Sequence, residues 1–246
     1  MDLTDCAIMG TDTKTSIRMK DCIILYIDIL GTKSILSSED EEKILLFISN
    51  MTEFYHIIFD PYVGTKIFSD NIIIFDDYSE ENLEKMVDIA SQTQFYLLMK
   101  YNLLSRGGIA RGKLYYDDMC ILGKGLVDAY YLESKVANYP RIVLSDDLTD
   151  DLPSTCKSMD DGHIMVNYML NFNDQNSNLP VYNNVKNHHD ILVKLANSSM
   201  NECDEKEQER INCKYLSIMR YHNNYCKENY LADLIIDSKE VNIDGL

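Results

Sequence analysis

The sequence predicts an α+β fold built on a β-α-β-β-α-β core, and three features carry that expectation. Two apolar runs, Ile23 to Gly31 and Lys66 to Phe75, are rich in β-branched and aliphatic residues and are each interrupted by one carboxylate, Asp28 and Asp70. Runs of this kind read as buried strands. Each is followed by a segment with apolar residues at helical spacing, and a further apolar run, Ile109 to Tyr116, follows the second helix. Two interleaved strand–helix–strand units give a central antiparallel sheet with two helices on one face, the ferredoxin-like arrangement.

Residues 1–20 are polar and without period; they form an arm that is either loosely ordered or used in dimer contacts. After the first strand, Ser38 and Glu41 make a capping box, and Ile44, Ile48, Met51, Tyr55 and Ile58 recur at helical spacing until Asp60-Pro61 ends the helix. Asp70-Asn71 between two apolar runs is a two-residue hairpin signal, because Asp and Asn tolerate positive φ. Ser79 caps a second helix whose Leu83, Met86, Val87, Ala90, Gln94, Leu97, Leu98 and Tyr101 form one stripe. Gly107-Gly108 opens the strand Ile109 to Tyr116, and Asp117-Asp118 closes it.

Beyond this point Gly123-x-Gly125 introduces a helix from Leu126 to Ala137, stopped by Tyr139-Pro140, and Arg141 to Ser145 forms a short strand. The stretch from Asp146 to Asn187 is a loop-rich edge with one strand at His163 to Leu170. Helices follow over His189 to Met200 and Glu205 to Asn229, the second carrying Ile211, Tyr215, Ile218, Met219, His222 and Cys226 on one side. The expected organisation is therefore an arm (1–20), a core domain (21–170) and a helical C-terminal extension (171–246) packed on the same domain.

A formal charge of −17, from 23 basic and 40 acidic residues, disfavours nucleic-acid backbones and anionic membranes as partners and points to a small, metal-chelated ligand. The longest apolar run, Cys22 to Leu30, is too short to span a bilayer. Seven cysteines, an odd count with no C-x-x-C pair and no signal peptide ahead of them, read as reduced thiols of a cytoplasmic protein. His163, His188, His189 and His222 match no tetrahedral zinc spacing and read as surface residues.

Asp28 and Asp70 are the anomalies in this pattern. A charge set in an apolar strand costs several kcal/mol unless something neutralises it, and a charged hydrogen bond returns roughly 1.5 to 3 kcal/mol. Either residue alone fits a turn cap at a sheet edge. If the first strand lies beside the hairpin, two carboxylates 70 − 28 = 42 residues apart meet at one sheet end, and mutually repelling acids ask for a divalent cation.

Four motifs in order resemble the class III nucleotide cyclase catalytic domain over about residues 20 to 170. Asp28-Ile29-Leu30-Gly31-Thr32 is similar to that family's Asp-Ile-x-Gly-Phe, and Lys66 stands four residues before Asp70, where the family places a base-selecting Lys or Glu. Arg106-Gly107-Gly108-Ile109-Ala110-Arg111-Gly112 looks like its Arg-x-Gly-Ile-x-x-Gly strand. Gly123-Lys124-Gly125-Leu126-Val127-Asp128-Ala129-Tyr130-Tyr131-Leu132-Glu133 looks like its Gly-x-x-Val-Asn-x-Ala-x-Arg-Leu segment. Val127 stands where the family has a ribose-directed Asn, and Tyr131 where it has a transition-state Arg. The divergent form is more similar to the bacterial pyrimidine cyclases of antiphage (Pycsar) systems.

The resemblance implies closure of a nucleoside triphosphate, UTP or CTP before a purine, to a 3′,5′-cyclic nucleotide and pyrophosphate, as an antiphage signal. It implies two Mg²⁺ or Mn²⁺ ions on Asp28, Asp70 and the backbone carbonyl of Ile29, and a head-to-tail homodimer with composite sites. Gly31 lets the backbone approach phosphate, or is an ordinary strand-to-helix turn. Lys33 reaches a phosphate oxygen or is a solvated surface lysine, and Lys66 donates to a base carbonyl. Arg106 meets the nucleotide or pairs with an acidic side chain. Arg111, with Lys113 and Arg141 behind it, is a candidate for the missing transition-state cation, and Tyr131 either stacks on a base or packs in the core. The alternative from another class is a degenerate nucleotide-binding or regulatory module. Polymerase-palm and diguanylate cyclase enzymes share the strand order, yet Phe68-Ser69-Asp70-Asn71 stands where the latter carry a Gly-Gly-Asp/Glu-Glu-Phe hairpin.

Overall fold

Residues 18–58, 64–148, 153–173, 181–199, 205–241 and 243 are described by the structure, a computed structural model. The arm over 1–17 and the Asp60-Pro61 helix stop lie outside them. Strand β1 (Lys20–Leu30) is followed by a five-residue helix α1 (Thr32–Leu36) and then α2 (Glu41–Ile58). The hairpin β2 (Gly64–Phe68) and β3 (Asn71–Asp77), helix α3 (Glu80–Tyr101) and strand β4 (Leu104–Tyr116) complete the core.

These four strands lie in the order β2-β3-β1-β4 with every neighbour antiparallel. Strand β3 thus sits between β1 and β2, and β1 between β3 and β4, the interleaving expected of two split strand–helix–strand units. Strand β5 (Ile121–Leu122) pairs with the end of β4, and α4 (Lys124–Tyr131) runs into a π turn over Leu132–Val136. Strand β6 (Ile142–Leu144) joins β4 in parallel, and β7 (Cys156–Ser158) and β8 (Ile164–Val166) extend the eight-stranded sheet beyond it. Helices α5 (Val181–Ser199) and α6 (Glu205–Glu228) follow, and a short 3-10 turn over Ala232–Leu234 comes after them.

Strand alternation gives the sheet two different faces. Ile23, Leu25, Ile27 and Ile29 of β1, with Ile72, Ile74 and Ile109, pack on Met51 and Phe54 of α2 and on Leu83, Met86, Val87 and Ala90 of α3. The opposite face, Cys22, Ile24, Phe75 and Ala110, is met by Ala129 of α4. A third cluster joins Val185, Leu192, Tyr215, Ile218 and Met219 of α5 and α6 to Leu98, Leu104, Val143 and Met165. No described helix is long and apolar enough to cross a membrane. Cys22, Cys120, Cys156, Cys213 and Cys226 are free thiols.

Several boundaries differ from the sequence expectation, each for a local reason. Asp40, not Ser38, caps α2, since the Lys43 N–H donates to Asp40 Oδ1 at 3.1 Å. Met51 and Phe54 reach the core whereas Leu45, Leu46 and Ile48 stay exposed, so the fully buried seam of α2 begins about two turns after Ile44, where its apolar pattern starts. The hairpin turn is Ser69-Asp70, because Phe68 pairs with Asn71; positive φ falls on Ser69 at 57°. Gly107 and Gly108 lie inside β4 instead of opening it. A Cβ on Gly107 would sit 2.4 Å from the Tyr26 carbonyl oxygen, and one on Gly108 2.4 Å from Leu132 Cβ. These glycines permit close approach of backbone and α4, which outweighs their usual role as breakers. Helix α4 stops at Tyr131, β7 had no sequence signal, and α5 starts at Val181, ahead of His189.

Candidate active site

Asp28 occupies an even-numbered position of β1, so alternation turns it to the α4 face, with Tyr26 and Ile24. The strand register sets it opposite Asn71 of β3 and Arg106 of β4. Asp70 immediately precedes Asn71, and the Ile29 N–H donates to the Asp70 carbonyl at 3.0 Å. The two acids therefore come to one end of the sheet, Asp28 from β1 and Asp70 from the β2–β3 turn.

Their surroundings differ. The buried Thr32 hydroxyl donates to Asp70 Oδ2 at 2.5 Å and lies 3.3 Å from the Ile29 carbonyl, while Asn71 Nδ2 donates to Asp70 Oδ1 at 3.2 Å. Asn71 Oδ1 in turn accepts from the Tyr26 hydroxyl at 2.9 Å. Asp28 is matched by a cation: Arg106 Nε donates to its Oδ2 at 3.1 Å. The same Nε lies 2.8 Å from Glu133 Oε1, a charge contact without hydrogen-bond alignment, and that oxygen is buried with no hydrogen-bond partner.

Glu133 stands in the π turn after α4, which the Ala137 N–H closes on the Leu132 carbonyl at 2.7 Å. One extra residue per turn re-aims a helical side chain, and such turns recur at functional sites. Burial pushes the Asp28 carboxyl above its ordinary range against the pull of Arg106, and Asp70 adds to the rise. Burial likewise pushes Glu133 up to about 7; Arg106 opposes this, and the Asp28 and Asp70 charges reinforce it. Three carboxyl groups and one guanidinium thus share a half-buried corner.

The other sequence candidates are spread more widely. Gly31 has φ 90°, and a Cβ there would meet nothing within 4 Å, so only the backbone angle calls for glycine. It leads into the short α1, which carries the exposed Lys33, and not into the long helix expected there. Lys66 donates to the carbonyls of Asp117 at 3.0 Å and Asp118 at 3.3 Å, tying β2 to the β4–β5 turn.

Arg111 is not brought to the site. It lies 111 − 106 = 5 residues beyond Arg106 on β4, opposite Ile23, so it projects from the other face. There it pairs with Asp21 at 2.7 Å and stacks on Tyr78 at 3.6 Å. Arg141 pairs with Asp161 at 2.7 Å and donates to the Val136 carbonyl at 3.0 Å. Tyr131, Val127 and Tyr130 are all exposed on α4, and Tyr130 also packs edge-on to Tyr26 at 5.4 Å. Sequence reasoning passed over Thr32, Glu133 and Tyr130. All three lie inside the motifs quoted above, but their aim shows only once the hairpin and the π turn are seen.

The donors at this corner, the carboxylates of Asp28 and Asp70 and the carbonyl of Ile29, are all oxygen, the ligand chemistry of Mg²⁺ and Mn²⁺. Among the described residues no group of three or more His, Cys, Asp and Glu side chains forms a ready metal cage. These oxygens are of the donor type a hard divalent ion takes, and Arg106 is paired with Asp28.

No family model and no curated protein matches the chain. Among solved structures, it is similar to a bacterial light-regulated adenylyl cyclase at 13% identity and TM-score 0.47, covering 71% of this chain and 57% of that one. An adenylate/guanylate cyclase/hydrolase from Silicibacter pomeroyi aligns at 17% identity and TM-score 0.40 over 61% of this chain and 95% of that one. A class III adenylyl cyclase-like ATP-binding protein from Pseudomonas aeruginosa aligns at 10% identity and TM-score 0.44 over 58% and 37%. The chain thus spans little more than half of the light-regulated cyclase.

Proposed function

We propose that this chain is a divalent-cation-dependent nucleotide cyclase, closing a nucleoside triphosphate to a 3′,5′-cyclic nucleotide with release of pyrophosphate. The convergence of Asp28 and Asp70 at one sheet end, beside the open backbone of Gly31, carries this reading. In the reaction the ribose 3′ oxygen bonds to the α-phosphorus as the bond to the pyrophosphate oxygen breaks, and the 3′ hydroxyl proton passes to water or a carboxylate. Bound Mg²⁺ or Mn²⁺ would lower the charge barrier between nucleophile and triphosphate.

Asp28, Asp70 and the Ile29 carbonyl are assigned to hold the ions. Lys33, exposed two residues after Gly31, is assigned to a phosphate oxygen. Lys66 reads a base edge only by releasing the Asp117 and Asp118 carbonyls, and Tyr131 offers an exposed ring. UTP or CTP as substrate, an antiphage role and the division at residue 170 rest on the motifs alone. A homodimer is favoured by apolar side chains left exposed on β2, the β4–β5 turn and α4, among them Phe68 at 78% and Met119 at 92%.

One observation favours a second reading, a nucleotide-binding module without turnover. Arg106, Arg111 and Arg141 are each committed to an ion pair, and Tyr131 stands where a transition-state arginine would be. One experiment separates the two: purified protein with each of the four nucleoside triphosphates and Mn²⁺, assayed for pyrophosphate and cyclic product. Turnover above that of Asp70→Asn supports the cyclase, and Mn²⁺-dependent binding in a calorimeter without turnover supports the module. Neither result removes both.

A further inference from the structure

Arg106 lies between two carboxylates and makes a proper hydrogen bond to only one of them. Its Nε is 3.1 Å from Asp28 Oδ2 and 2.8 Å from Glu133 Oε1, and the aligned bond goes to Asp28. Glu133 Oε1 remains a buried acceptor without a donor, which is costly in a low-dielectric setting. The two acids also differ in access, with 19% of the Asp28 side chain exposed against 3% for Glu133. A cation arriving from solvent therefore meets Asp28 and not Glu133.

We propose that Arg106 is a built-in counter-ion that occupies Asp28 in the metal-free chain and passes wholly to Glu133 when a divalent cation takes Asp28. This rests on the reading of Asp28 as a metal ligand, but it gives Glu133 a positioning role and moves Arg106 from nucleotide contact to gatekeeper of the ion site. A doubly charged ion on Asp28 repels the guanidinium at close range. Glu133 Oε1, already within contact distance and without a donor of its own, accepts it with a small rotation of one side chain. The backbone has no need to move: Gly107 and Gly108 hold β4 tightly against β1 and the π turn, and Glu133 is fixed in that turn. The ion's affinity is then set by competition with Arg106 on one side and by the refuge Glu133 offers on the other.

The two variants Arg106→Gln and Glu133→Gln should consequently move Mn²⁺ affinity in opposite directions, which a merely structural role for either would not do. Calorimetric titration of the full chain with MnCl₂, with circular dichroism to confirm folding, is the test. Removing a competing charged hydrogen bond is expected to tighten Mn²⁺ binding about tenfold in Arg106→Gln, and removing the refuge to weaken it about tenfold in Glu133→Gln. Arg106→Lys, which keeps the charge without the guanidinium fork, should fall between wild type and Arg106→Gln, and stands in for the latter should that variant not fold. Equal or weaker Mn²⁺ binding by both Arg106 variants, or unchanged binding by Glu133→Gln, overturns the counter-ion role while leaving the metal site intact. If wild type and Asp70→Asn alike bind no Mn²⁺, the metal reading of the site fails and this inference falls with it.

Discussion

His188 Nδ1 lies 2.9 Å from His222 Nδ1 in a core where neither ring is exposed. The partners on either side fix the protons. His222 Nε2 sits 2.8 Å from the Leu234 carbonyl, which only accepts, so that nitrogen carries the hydrogen and His222 Nδ1 is an acceptor. His188 Nδ1 must then donate, and its Nε2 accepts from the Tyr168 hydroxyl at 2.9 Å. The result is one directed chain from Tyr168 to Leu234 through two neutral rings. It corrects the expectation that these histidines lie at the surface.

A second proton on either ring would place a positive charge in this buried core. Burial holds His188 well below its ordinary range and His222 down to about 4; the Leu234 carbonyl and the Glu240 charge oppose the fall at His222, and the neighbouring His189 adds to it. In the unfolded chain both titrate near 6.5. Stability from this pair is therefore complete above about pH 6.5 and is lost as pH falls toward 4, by up to roughly 1.4 kcal/mol per pH unit for each ring. The urea midpoint should fall from pH 7.5 to pH 5, and His222→Asn should start lower and fall less. Glu133, raised to about 7, gains stability over the same fall in pH, so the comparison decides: an equal pH dependence in wild type and His222→Asn would remove the assignment.

Gly107→Ala and Gly108→Ala are both expected to destabilise the chain. The added methyl would lie 2.4 Å from the Tyr26 carbonyl oxygen in the first and 2.6 Å from the Ala129 carbonyl oxygen in the second, and neither backbone can yield without parting β4 from β1 or from α4. Overpacking of this kind typically costs 1–3 kcal/mol, so about 2 kcal/mol or more is expected in denaturant unfolding for each. Since β4 carries Arg106 to Asp28, both variants should also alter Mn²⁺ affinity.

The two longest helices after β1 and the order of the first four strands were legible because burial on one side imposes a period on the sequence, as in the α3 stripe from Leu83 to Leu98. The pairing of Asp28 with the Asp70 hairpin was legible for the same reason, since a lone acid in an apolar strand is conspicuous. Glu133 was not, because its direction depends on a π turn that leaves no periodic trace, and Gly107-Gly108 misled because glycine signals both breaks and close contacts. Ile48 misled in another way: it has the right spacing and yet is exposed, whereas Met51 and Phe54 of the same helix are buried. The short β7, three residues long, is held by pairing with β8 and not by its own pattern.

Arg111→Ala tests the corrected placement of that side chain. Its Asp21 pair is 40% and 37% exposed, and exposed pairs contribute about 0–1 kcal/mol. Stacking on Tyr78 at 3.6 Å adds a comparable amount. The variant should lose no more than about 2 kcal/mol in a thermal or urea melt and bind Mn²⁺ as wild type does. A tenfold change in Mn²⁺ affinity would return Arg111 to the site.

Phe68 is the side chain that most directly tests the homodimer. It ends β2 two residues before Asp70, its ring is 78% exposed, and Lys66 on the same strand bonds the turn that bears the exposed Met119. Burying one such ring contributes roughly 1.5–3 kcal/mol per copy, and a two-fold interface counts it twice. Phe68→Asp should therefore shift sedimentation equilibrium from dimer to monomer by two or more decades in concentration. If the sites are composite, turnover falls with dimer population and recovers at high protein concentration, while Mn²⁺ binding per chain is kept. A monomeric wild type with full turnover would place the whole site within one chain and leave the exposed ring without a role in catalysis.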